Sequence, residues 1–127
     1  MTKLILIGLG GFLGAAMRYL TGTFIQQILG EELFPYGTFA VNLFGSLLIG
    51  FLITLAGTEG LLSPTAQLFL ITGMLGAFTT FSTFSYETWQ LFQQGRAAPA
   101  LMNMGVHLFF GLAAVWAGGW LARLWQG

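Results

Sequence analysis

One stretch of this chain concentrates groups able to do chemistry: Gly73-Met74-Leu75-Gly76-Ala77-Phe78-Thr79-Thr80-Phe81-Ser82-Thr83-Phe84-Ser85. Five hydroxyls and two glycines fall in the middle of a long apolar run. Hydrocarbon gives the backbone no hydrogen-bonding partner, so a loosened helix at that depth must face protein or a water-filled cavity. Ser and Thr also bond back to the carbonyl four residues earlier and bend a helix, but one bend needs fewer of them. Such a centre suits an ion or solute site near the bilayer midplane. Carbonyls of unwound backbone take a hard cation and half-helix N-termini take an anion, so either sign, or one of each, fits.

Other polar residues lie outside this stretch. Thr38, Asn42, Gly45, Ser46 and Ile49 recur at helical spacing and form one small-and-polar stripe on an oily helix. The Asn42 amide offers two donors and an acceptor. It serves either a solute or a neighbouring helix, the latter contributing about 0.6 kcal/mol on average. Phe81 and Phe84, three apart, share a helix face, and a ring edge is a mild anion-attracting surface; plain packing is the competing role. Arg18 sits on the order of 20 Å into its helix, where an arginine must snorkel, pair or face water. Glu87 and His107 are the other ionisable groups within apolar runs, each suited to an aqueous path, to snorkelling or to packing.

These residues need helices to position them. The chain has 127 residues, 56% hydrophobic and only 6% charged, against about 25% charged in a soluble domain. An all-α membrane protein follows, with one domain over residues 1–127 and spans at about 4–29, 37–56, 65–94 and 100–124. The N-terminal run reads as a retained first span rather than a signal peptide. Gly10, Gly14, Gly11 and Ala15 let another helix approach span one closely. Ser63 and Pro64 suit the start of span three. Its centre, weak in helix propensity, predicts two half-helices joined by unwound backbone near Gly76 to Thr80. Glu31-Glu32 with Pro35, then Glu59-Gly60, then Gly95 to Pro99 mark the loops. Lys3 and Arg123 oppose only Arg96 across the membrane, a bias weak enough for insertion in both orientations. No basic patch suggests nucleic acid. Cysteine is absent and His107 is the only histidine, which excludes a His/Cys metal site. No nucleophile–base constellation suggests an enzyme.

Three motifs in order carry a family resemblance: Gly10-Gly11-Phe-Leu-Gly14-Ala15-Ala-Met-Arg18-Tyr19, Gly37-Thr38-Phe-Ala-Val41-Asn42-Leu-Phe-Gly45-Ser46, and the stretch from Gly73 through Tyr86 to Glu87. Together they resemble the Fluc-type fluoride channels, the CrcB family. The resemblance implies an antiparallel, dual-topology homodimer of four-span subunits in a bacterial or archaeal plasma (inner) membrane. It implies two pores per dimer and passive export of fluoride from the cytoplasm. It also implies a structural sodium ion held by the backbone carbonyls of Gly76 and Thr79 where two broken third helices cross. On the same basis Phe81 and Phe84 present ring edges to fluoride, and Asn42 lines the pore. Thr38, Ser82 and Thr83 belong to the polar track, while Arg18 and Glu87 occupy the vestibules. Two positions depart from the pattern. Ala77 replaces a frequent second glycine, and His107 stands where a small hydroxyl residue is common, placing a titratable side chain in the fluoride pathway.

Fluoride is small, strongly hydrated and a strong acceptor, so a narrow route of amide, hydroxyl and ring-edge donors would favour it over chloride, provided the donors also release it. The alternative is a small proton-coupled multidrug exporter, also of four spans. That chemistry uses an acidic residue in the first span, where this chain has none.

Overall fold

The computed structural model describes residues 1–30, 34–57 and 61–127. The loop residues Glu31, Glu32 and Glu59 lie outside them. Every regular element among the described residues is helical. α1 is Thr2–Leu29 and α2 is Tyr36–Gly57. The third span contains α3 (Pro64–Gln67), a π-helical segment (Leu68–Leu75), α4 (Gly76–Phe78) and α5 (Phe81–Gln93). α6 is Ala97–Trp125. The runs long and apolar enough to cross a membrane are Thr2–Leu29, Tyr36–Gly57, Pro64–Gln93 and Ala97–Trp125.

Local chemistry explains the boundaries. The Ser63 hydroxyl accepts from Ala66 N–H at 3.2 Å, with Pro64 in the first turn, where its missing N–H costs nothing. α5 is closed off by Gly95, just beyond its last residue Gln93, with a φ of +71° that suits glycine. Gly95 N–H donates to Phe92 O at 3.0 Å and Arg96 N–H to Leu91 O at 2.9 Å, the paired bonds that close a helix around a left-handed residue. α6 then starts at Ala97. Pro99 therefore sits in its first turn, where N–H groups lack helical partners, rather than in a loop that delays the helix to residue 100.

Glycines decide which helices touch. A side chain on Gly10 would strike Phe69 O and one on Gly14 would strike Met74 O. The backbone of the third span therefore lies directly on α1. Gly50 meets Val115 O and Gly118 meets Leu47 O in the same way, seating α6 on α2. Both close approaches are of the small-residue kind that membrane helices favour. Between them Val41, Leu75 and Phe78 form the buried apolar cluster beneath the break in the third span.

The break is shorter than the sequence suggests. Only Thr79 and Thr80 leave the helix, with φ/ψ of −77°/155° and −149°/111°. Gly76 remains helical at −60°/−32°. The hydroxyls decide this: Thr80 caps α5, accepting from Thr83 N–H at 3.2 Å, as β-region Ser and Thr do at helix starts. The π-helical segment upstream was not expected. Its aliphatic side chains give no sign of it, and it presses Gly73 against Ile7 and Gly10 of α1.

Candidate functional site

The site is organised by the Thr80 peptide. Asn42, on α2, donates from Nδ2 to Thr80 O at 3.1 Å, and its Oδ1 accepts from Thr80 N–H at 2.8 Å. Thr80 is 8% exposed. In an unbroken helix that N–H would go to the Gly76 carbonyl, four residues back. Asn42 thus takes over the hydrogen bonding of the broken segment and holds the break open. Thr80 Oγ1 also lies 3.0 Å from Thr83 Oγ1 and 3.2 Å from Ser82 Oγ. Asn42, Ser82 and Thr83 are therefore brought together, with Thr80 as their hub.

One turn away on α2, Thr38 donates to Glu87 Oε1 at 2.7 Å. Thr38 and Asn42 are four apart on α2. Thr80, Thr83 and Glu87 follow the matching three-and-seven spacing on the third span, so the polar faces oppose each other. The second oxygen, Glu87 Oε2, is buried with no partner among the described residues. Two cavities meet along this face. One, of about 380 Å³, is lined by Arg18, Thr38, Thr80 and Thr83. The other, of about 410 Å³, is lined by Thr38, Glu87, Gln90 and Arg96. Thr38 lines both, which sets Arg96, Glu87 and Thr38 along one cavity and Thr38, Thr80 and Thr83 along the next, with Asn42 bonded to Thr80.

The rings occupy another face of α5. Phe81 and Phe84 are 5.5 Å apart between centroids. Phe81 is 79% exposed on the subunit, whereas Phe84 packs on His107 of α6 at 4.4 Å. His107 Nδ1 is 2.9 Å from Asn103 O. A carbonyl only accepts, so Nδ1 carries the proton and the neutral ring has no other N–H to offer. Asn103 is fully buried and donates to Thr88 Oγ1 at 2.8 Å. Sequence reasoning overlooked Asn103 and Thr88. The four-residue step from Asn103 to His107 on one helix face was a usable signal.

Gly76 and Thr79 stand apart from this cluster. Gly76 is exposed on the subunit, and a side chain there would meet nothing closer than Ile71 O at 3.8 Å. Thr79 Oγ1 bonds back to Leu75 O at 3.1 Å. Carbonyls near the end of α4 lose helical donors at the break. Oxygen donors of this kind fit a hard cation such as sodium.

Comparison with known proteins agrees on one family. The family model described as CrcB-like protein, Camphor Resistance (CrcB), matches residues 5–119. A Chlorobaculum tepidum protein named fluoride-specific ion channel FluC is 47% identical over 126 residues, covering 99% of this chain and 98% of the relative. Proteins of the same name are similar in Acidobacterium capsulatum, at 46% identity over 91% of this chain and 92% of the relative, and in Clostridium perfringens, at 44% over 98% of each.

Proposed function

The chain belongs to the CrcB family, and we propose that it is a fluoride-specific channel through which fluoride leaves the cytoplasm passively. It is not an enzyme, and the exporter alternative falls away with the family and with the lack of any acidic residue in α1. The observation that carries the reading is the polar line from Arg96 through Glu87, Thr38 and Thr83 to Asn42. Arg18 and Arg96 draw the anion into the cavities. Thr38, Ser82 and Thr83 replace its water with hydroxyl donors, and Asn42 adds an amide. Phe81 and Phe84 then meet it with ring edges, whose hydrogens are the positive part of the ring. Weak donors in series admit the ion and release it.

The pore is completed by a second, antiparallel copy, giving two pores per dimer. Exposed Phe81 and the open face at Gly76 support this, as does the weak charge bias. The Gly76 and Thr79 carbonyls of both copies would hold sodium, which would fasten the crossing and supply a fixed positive charge near the pores. The setting is the plasma membrane of a bacterium or archaeon. Purified protein in liposomes should dissipate a fluoride gradient without added energy and pass little chloride; equal chloride flux refutes the reading. A single cysteine at exposed Gln94 should be labelled from both sides of the membrane. Labelling from one side only removes the antiparallel pair.

A further inference from the structure

We infer that His107 is a positioning residue that fixes the ring of Phe84, an inference that rests on the fluoride-channel reading. The contacts form a closed loop between α5 and α6. Phe84 O accepts from Thr88 Oγ1 at 2.7 Å, and that hydroxyl accepts from Asn103 Nδ2 at 2.8 Å. Asn103 O accepts from His107 Nδ1–H at 2.9 Å, and the imidazole lies against the Phe84 ring with centroids 4.4 Å apart and planes at 44°. Phe39 of α2 also packs on the imidazole at 5.3 Å, nearly edge-on at 75°. Phe84 is thus held at its carbonyl and at its ring by one anchor, and that anchor, Asn103, is 0% exposed.

Two features separate this from plain packing and from direct ion contact. His107 Nε2 is buried without a partner among the described residues. Leucine would fill the same space without an orphaned acceptor, whose burial is costly. The orphan also argues against contact with fluoride, because a bare lone pair repels an anion. What imidazole adds over leucine is a flat face held in one plane by a hydrogen bond. Phenylalanine rings turn about a broad, two-fold torsion. An aliphatic neighbour leaves that torsion free, whereas a fixed aromatic plane selects one edge direction, which is the property a ring-edge anion contact needs.

The test is a double-mutant cycle read by fluoride efflux from liposomes, with dimer yield measured on the same preparations. Loss of one aromatic contact should cut flux about three- to tenfold in His107→Ala, with yield unchanged. His107→Phe, which keeps a ring but loses the bond to Asn103 O, should fall between the parent and His107→Ala. Where Phe84→Ile has already lowered flux, adding His107→Ala should lower it no further. Losses that multiply in the double variant overturn the inference while leaving the channel reading intact. A Phe84→Ile variant with full flux overturns the pathway role of Phe84 and the inference with it. A ring-fluorinated phenylalanine at position 84 supplies a readout independent of flux. Its fluorine NMR line should narrow in His107→Ala as the ring is released, and an unchanged line refutes the clamp. Should His107→Ala fail to fold, His107→Leu replaces it with the same expectations.

Discussion

Replacing Asn42 separates the role the structure shows, holding the Thr80 backbone, from the role proposed for it, meeting the ion. Asn42→Ala removes both bonds to Thr80, at 3.1 and 2.8 Å. At the membrane average of about 0.6 kcal/mol each, the loss is about 1.2 kcal/mol. If both orphaned groups bear the cost of burial, it reaches about 4 kcal/mol. Every 1.4 kcal/mol is about tenfold in an equilibrium. Deuterium exchange at the Thr80 amide should therefore accelerate at least about sevenfold. Asn42→Asp acts differently, since its carboxylate keeps an acceptor for Thr80 N–H. It also puts a negative charge on the path. At about 4 Å from fluoride, with an effective dielectric of about 20, the repulsion is about 4 kcal/mol, or roughly a thousandfold in occupancy. The expected pattern is fast exchange with reduced flux for Asn42→Ala. For Asn42→Asp, which keeps the acceptor for Thr80 N–H but loses the donor to Thr80 O, it is exchange slower than in Asn42→Ala with flux abolished. Both are measurable on one purified preparation, by mass spectrometry of the peptide spanning Thr80 and by liposome efflux. Unchanged exchange in Asn42→Ala would show that the clasp does not hold the break, and normal flux in Asn42→Asp would place the anion elsewhere.

Other substitutions test the remaining parts. Phe81→Ile should lower fluoride flux without lowering yield, because the ring is 79% exposed on the subunit and supports little of its packing; a parallel fall in both would make it a packing residue. Gly76→Val meets only Ile71 O at 3.8 Å within the subunit, so the chain should fold while its dimer dissociates on size-exclusion chromatography. A stable dimer removes the proposed crossing. Gly118→Val drives a side chain into Leu47 O, whereas Gly105→Val enters open space. Overpacking costs about 1–3 kcal/mol or more where backbone cannot retreat, so the first should lose folded protein and the second should not, as judged by yield in detergent.

Residue types reveal this site where side chains carry its hydrogen bonds. The stripe through Thr38 and Asn42 and the hydroxyl run after Gly76 mark the two faces that meet. The partner of Asn42 was hidden, because it is a peptide group and peptide groups have no residue identity. The Thr38–Glu87 bond joins residues 49 apart in sequence, and only the approach of α2 to α5 reveals it. His107 was recognisable as unusual, but its contact with Phe84 depends on the register of α6 against α5. The extent of the break is equally hidden in the residue types. Glycine permits unwinding without requiring it, and Gly76 stays helical while two β-branched threonines carry the extended backbone. The π-helical turns lie with their backbone on Gly10 and Gly14, and the aliphatic residues that form them would serve an α-helix equally.

The clasp on Thr80 also fixes a direction. A free asparagine is ambivalent: a half-turn about one bond exchanges its oxygen for its NH₂ group. At Asn42 that rotation would break both bonds, set NH₂ against N–H and oxygen against carbonyl, and leave two repulsions in their place. The amide is therefore locked as a fixed dipole. Its oxygen is turned onto the peptide, and its remaining N–H is the end left over, the one that would meet fluoride in the proposed channel. The donor end of this amide is then a permanent property of the fold, one that thermal motion of the side chain cannot reverse.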